Sequence, residues 1–289
     1  MRWRRQPGDS RDVVDVRGRS GMPGGRVALP GGVGLVGVLV FIAFQLLGGG
    51  AAYSVPSGFD DGTTAPGGAG ITAGADPDKN LKDFSANVFT NAQRTWETTF
   101  ADQGKPYRHA KLYLYTRAID TGCGSASSAV GPFYCSADGH VYLDLSFYRD
   151  MQQQLGADGD FAWAYVIAHE MGHHVQRELG TSDEVRRLER GSPDQRNALS
   201  VRLELQADCY AGVWAHHVFQ AGDLDETDIP EAIRAAEAVG DDRLQTRARG
   251  SVDPDSFTHG TSAQRARWFD TGRSGGEPAA CDTFSPEDV

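Results

Sequence analysis

An α+β domain dominated by helices, with a small β-sheet and one transmembrane helix ahead of it, is the fold class this sequence predicts. Three observations carry it. Residues 160–180 and 194–220 repeat apolar side chains at helical spacing. Two short runs, 111–115 and 140–145, are rich in aromatic and branched residues and alternate as strands do. Residues 27–59 contain no charged side chain at all.

At 289 residues the chain has room for one domain of about 200 residues plus a leader. Residues 1–30 form an arginine-rich tail, with seven arginines against three aspartates in 1–26. Residues 31–52 are the most apolar stretch and as a helix would extend roughly 33 Å, enough to cross a hydrocarbon core. The densest part, 33–47, also has the length of a signal-peptide core. Some 30 residues precede it, however, far more than a normal n-region, so an uncleaved signal anchor is expected. Seven glycines between 31 and 50 would pack badly in a soluble core helix. The positive flank stays in the cytoplasm, which predicts a single-pass cell-membrane protein with its domain extracytoplasmic.

Residues 53–80, rich in small and turn-forming residues, are expected as a flexible linker, and 81–289 as the functional domain. The net charge is −11 with the tail at +4, so the rest of the chain carries −15. That balance excludes nucleic acid as a partner and favours solubility.

Within the domain, a first helix is expected over 80–100, with Phe84, Val88, Phe89 and Trp96 on its apolar side. Strands follow at 111–115 and 140–145. In the helix over 160–180, Ala164, Ile167, Ala168, Met171, Val175 and Leu179 form a stripe; Asp160 after Gly159 suits an N-cap and Gly180 a stop. Further helices are expected at 194–220, 227–239 and 261–270. There is no internal repeat.

The second helical stretch carries the chemistry. His169-Glu170-Met171-Gly172-His173 is an HExxH pattern, and four residues of helix bring His169 and His173 side by side on one face, able to chelate one metal ion. Glu170 stands about 100° round the axis, placed to reach a water on the metal rather than to act as a third ligand. Positions 176 and 179 hold Gln176 and Leu179, which excludes the metzincin pattern of a glycine and a third histidine there. Downstream, Glu204 and Asp208 lie one turn apart in an apolar neighbourhood. Glu204 is expected to complete a His2Glu site for one Zn2+ per chain, with a corner left for solvent. Asp208 is expected to accept the free ring N–H of a ligand histidine and fix its tautomer.

Four cysteines, all beyond the apolar segment, fit an oxidising compartment. Three connectivities exist; Cys123 with Cys135 across a short Gly/Ser-rich turn, and Cys209 with Cys281, is the expected pairing. A four-cysteine zinc site would want paired C-x-x-C spacing, which is absent.

The chain resembles the neutral zinc metallopeptidase family of bacteria. The resemblance rests on Gly131-Pro132-Phe133-Tyr134-Cys135, on 164–176 around HExxH, and on Arg202-Leu203-Glu204-Leu205-Gln206-Ala207-Asp208-Cys209. It continues through Gly240-Asp241-Asp242-Arg243-Leu244-Gln245, Ser256-Phe257-Thr258-His259-Gly260 and Ser262-Ala263-Gln264-Arg265. It implies a zincin-like fold, HExxH plus a downstream glutamate, and hydrolysis of peptide bonds in a protein or peptide substrate. Glu170 is then expected to take a proton from water and pass it to the leaving amine. His259 is a candidate donor to the tetrahedral oxyanion, and His174 is expected to point away from the ligand pair. Two alternatives remain: a non-peptidase zinc amidohydrolase with Cys123 as an upstream ligand, and a zinc-retaining binding module without catalysis.

Overall fold

The structure, a computed structural model, describes residues 10–18, 76–285 and 289. In chain order its main elements are β1 (Val13–Asp15), α1 (Lys79–Asp102), β2 (Leu112–Tyr115), β3 (Ala118–Thr121), β4 (Gly124–Ser127), β5 (Phe133–Cys135) and β6 (His140–Asp144). Then come α2 (Phe147–Asp150), which widens over Met151–Leu155, α3 (Asp160–Glu178), α4 (Thr181–Gly191), α5 (Arg196–Gln220), α6 (Ile229–Ala238), α7 (Asp241–Arg249) and α8 (Ser262–Gly275).

Four strands form one sheet in the order β1-β2-β6-β5. The first three run parallel, and β5 is antiparallel to β6. Alternation divides the two faces. Leu112, Leu114, Val141 and Leu143 are fully buried and pack with Val88, Phe89 and Ala92 of α1 and Ile167 and Met171 of α3. On the other face Tyr113, Tyr142 and Phe133 stack across three strands, with centroids 5.2 and 5.0 Å apart. The β3–β4 hairpin covers this aromatic ladder, and the Cys123–Cys135 disulfide ties it to β5.

The metal-motif helix lies against this sheet on one side and α5 on the other. Gly172 makes the second contact close: a Cβ there would meet the Ala207 carbonyl oxygen at 2.8 Å. Any side chain at this position would push the two helices apart and separate the residues they carry. Across α5, Gly212 and Gly272 let α8 approach equally closely, since a Cβ at either would overlap the facing backbone.

Three expectations need correction. The transmembrane helix expected over 31–52 lies outside the described residues, and no helix among those described is long and apolar enough to cross a membrane. Among the described residues the fold class is therefore a helix-dominated α+β domain with a small sheet and no membrane-spanning helix. The sheet supplies a physical reason against a single crossing ahead of the domain. Val13, Val14 and Asp15 are in register with Leu112, Tyr113 and Leu114, and Arg17 pairs with Asp76 at 2.7 Å. A bilayer between residues 18 and 76 would put those partners on opposite sides.

Second, α3 does not bury one stripe only. Nearly every residue from Phe161 to Gln176 is buried, both histidines included, while Leu179 is 36% exposed. Third, Asp160 makes no cap. Gly159, at φ 108°, precedes the helix, and Glu231 of α6 reaches across to accept the Phe161 N–H at 3.0 Å. Both differences arise from neighbours distant in sequence.

Candidate metal centre

Helices α3 and α5 bring His169, His173 and Glu204 to one point. Their ligating atoms all lie within 4.8 Å of one another, and all three residues are buried. The Glu204 carboxylate oxygens stand 3.2 Å from His169 Nε2 and 3.4 Å from His173 Nε2. His169 Nε2, His173 Nε2 and one oxygen each of Glu204 and Glu170 are buried without a hydrogen-bond partner. A lone buried orphan of this kind is destabilising by about 1–3 kcal/mol. The three on His169, His173 and Glu204 converge on one point as a cation requires, and two imidazoles with one carboxylate match the donor set of a three-ligand zinc site. The residues fit zinc.

Each ligand histidine is aimed by a partner on its other nitrogen. His169 Nδ1 lies 2.8 Å from Asp208 Oδ1, so the carboxylate holds the proton on Nδ1 and leaves Nε2 for the metal. His173 Nδ1 donates to Gln176 Oε1 at 2.9 Å. Gln176 is fixed in turn by donating to the Leu203 carbonyl at 2.6 Å and to Gln206 Oε1 at 3.2 Å. Gln206 itself donates to the Cys281 carbonyl at 3.0 Å, beside the Cys209–Cys281 disulfide.

Asp208, fully buried, is the hub of the other side. Arg265 grips it from α8 through Nε at 2.8 Å and a second nitrogen at 2.9 Å, and the Tyr165 hydroxyl donates to the same carboxylate. Burial by itself would raise the Asp208 pKa, but Arg265 and His169 hold it below the ordinary value. Burial would lower His169, yet Asp208 and Glu204 overcome it and push the imidazole up to about 10. A proton therefore competes with the metal for His169 Nε2. Zinc uptake at pH 6 is expected to release at least one proton, and affinity should climb with pH toward that value. Calorimetry in buffers of different ionisation enthalpy measures the release; uptake without proton release would contradict the assignment.

Glu170 sits beside the ligands, 2% exposed, with its pKa raised by burial against the opposing pull of His173 and His169. His259 is brought to the same cavity by a loop. Asp241, at the start of α7, accepts the backbone N–H groups of Thr258, His259 and Gly260. Gly260 takes φ 84°, a turn that a side chain would strain. The Asp241 carboxylate also lies 3.4 Å from His259 Nδ1. Directly after this loop, a reciprocal Thr261–Gln264 cap starts α8 and delivers Arg265 in its first turn.

His174 faces away from the ligands, as expected. Its ring bonds the Tyr134 hydroxyl at 3.1 Å and the Arg108 carbonyl at 2.7 Å, and burial lowers its pKa to about 4. Both cysteine pairs are disulfides, in the expected connectivity, so Cys123 is no metal ligand. Gln176, Arg265, Tyr165 and Asp241 were not singled out by sequence reasoning. Gln176 and Tyr165 had a signal, standing at i+3 from His173 and i−4 from His169 on the same helix face. Arg265 and Asp241 had none beyond their place in the family-like blocks.

The family model described as "putative neutral zinc metallopeptidase" matches residues 1–284. The chain belongs to this family. Among its relatives is the uncharacterized protein YpfJ of Escherichia coli K12, 45% identical over 289 residues, covering 98% of this chain and 99% of the relative. The uncharacterized protein Rv2575 of Mycobacterium tuberculosis H37Rv is 38% identical over 227 residues, covering 75% of each chain. No solved structure matches this chain.

Proposed function

We propose that this family member is a zinc-dependent peptidase that hydrolyses peptide bonds in a protein or peptide substrate, working in an oxidising compartment outside the cytoplasm. The observation that carries the chemistry is the set of orphaned atoms on His169, His173 and Glu204 with Glu170 beside them. Zinc, when bound, would polarise a carbonyl oxygen and acidify water, and His169, His173 and Glu204 would hold it. Three protein ligands leave room for solvent and substrate, whereas a structural site would be closed by a fourth.

Glu170 is the group that takes the proton from the attacking water and returns it to the departing amine. A carboxylate beside the ligands can do both halves, taking the proton as the water attacks and giving it up as the amine leaves. His259, whose Nδ1 lies 3.4 Å from Asp241 and 3.1 Å from the Thr258 hydroxyl, lines the cavity and would donate through its other nitrogen to the carbonyl oxygen as negative charge develops there. Replacing His259 by alanine is expected to lower kcat about 10²-fold with zinc content unchanged, the usual scale for losing one oxyanion donor. Equal turnover in the variant would remove His259 from this role.

The compartment rests on the two disulfides, which persist where thiols are oxidised. Trapping of free thiols in intact cells tests it: four reduced cysteines would contradict the placement. The reaction is tested on the full chain with casein and a peptide library, where cleavage lost to a chelator should return with zinc. Full zinc occupancy without cleavage would favour a binding module instead. An amidohydrolase using Cys123 as a ligand is disfavoured, because that sulfur is bonded to Cys135.

A further inference from the structure

A cavity open to solvent is lined by His169 and Glu170 at the metal centre and by a set of apolar residues. Four parts of the chain wall it. Pro132 stands just before β5, Phe147 is on α2, Val166 is on α3, and Val239 and Leu244 lie where α6 gives way to α7. The apolar walls are held rigidly: Phe147 and Leu244 are buried, and both belong to the main hydrophobic core. Nothing in the proposed chemistry uses these residues. Resting on the peptidase reading, we infer that this cavity receives a large apolar side chain, aromatic or branched aliphatic, from a residue flanking the bond that is cut, and so sets the substrate preference.

Two observations favour that occupant. The first is position: a side chain entering here starts beside Glu170, so its backbone lies at the reacting carbonyl and not several residues away. The second is charge. Arg265 lines the cavity, but its guanidinium is already committed to Asp208, to the Tyr165 hydroxyl at 3.2 Å and to the Val239 carbonyl at 3.3 Å. His259 is likewise held through Nδ1 by Asp241. Among the described residues that line the cavity, an acidic side chain would lose its hydration and find no free cation, and a basic one would meet only Glu170, the group the reaction needs for its own proton. An apolar group loses nothing and gains burial.

The test separates this preference from the reaction itself. A series of otherwise identical peptides carries Phe, Leu, Ala, Asp or Lys as a guest on either side of the central bond. Their cleavage by the wild-type full chain is compared with their binding to zinc-loaded Glu170→Gln, which should bind without turning over. Phe and Leu guests at one position should exceed Asp by about 10²-fold in kcat/KM and in affinity, on the scale that apolar pockets discriminate. Val239→Phe, which narrows the cavity at a half-buried wall, should weaken the Phe peptide at least tenfold in both readouts and leave the Ala peptide within about twofold. Selective binding of apolar guests without any cleavage would keep the pocket and sink the peptidase reading. Cleavage or binding indifferent to the guest, an equal loss for Phe and Ala peptides in Val239→Phe, or no binding of any guest would overturn the pocket.

Discussion

Glu170→Gln is expected to abolish turnover almost completely while the protein keeps its full zinc content. The amide is isosteric with the carboxylate but cannot take a proton from water, and general-base removal is worth about 10²–10⁴ in rate. Glu170 is no ligand: the three atoms that converge on a common point come from His169, His173 and Glu204. Zinc measured by atomic absorption should therefore stay at one per chain, and peptide affinity should change little. The pH profile gives a second readout. Protonating the Glu170 carboxylate removes the base, so wild-type activity should fall on the acid side of its pH profile. In Glu170→Gln the residual rate should lack that acid limb. A variant that lost zinc together with activity would show instead that Glu170 holds the metal.

The ligand geometry was legible in the sequence because it is local to two helices. The i, i+4 spacing of His169 and His173, and of Glu204 and Asp208, puts each pair on one face wherever the helices go. What spacing could not supply was the approach of the helices, which depends on Gly172 having no side chain against Ala207. The strands showed the same division. Residues 111–115 and 140–145 alternate clearly, whereas Gly124–Ser127 is made of small residues with no apolar rhythm, and its hairpin is held by pairing with β3. The three-residue strand Val13–Asp15 lay hidden in an arginine-rich stretch that charge counting assigned to the far side of a membrane. Its partner strand is about a hundred residues away. Long-range pairing of that sort leaves no local pattern.

The blocks 240–245, 256–260 and 262–265 looked like motifs without a mechanism. In the fold they are one device. Asp241 shapes the loop that carries His259, and Asp242 accepts from the backbone and hydroxyl of Ser262 at the entrance to α8. The cap at Thr261 then orients Arg265 toward Asp208. Each carboxylate binds a group 17–20 residues onward, and no periodicity rule connects positions so far apart.

Arg265→Met should be the most destabilising single change near the site. Asp208 is fully buried and Arg265 is 3% exposed, and removing one partner of such a pair is destabilising by about 3–5 kcal/mol because the other charge is stranded. Urea unfolding of the full chain should show that loss, since Tyr165 and His169 cannot replace the two guanidinium contacts. Zinc affinity should fall by about 10–100-fold as well, the range typical of disturbing the partner of a ligand histidine. Those effects have separable causes. In Arg265→Met with Asp208→Asn no buried charge remains unpaired, so most of the stability should return. The affinity should not, because a neutral amide oxygen accepts the His169 Nδ1–H less strongly than a carboxylate does. Competition with a chromophoric chelator measures that difference directly. If the double variant recovered zinc affinity along with stability, Asp208 would serve only to neutralise Arg265, and His169 would be aimed by packing alone.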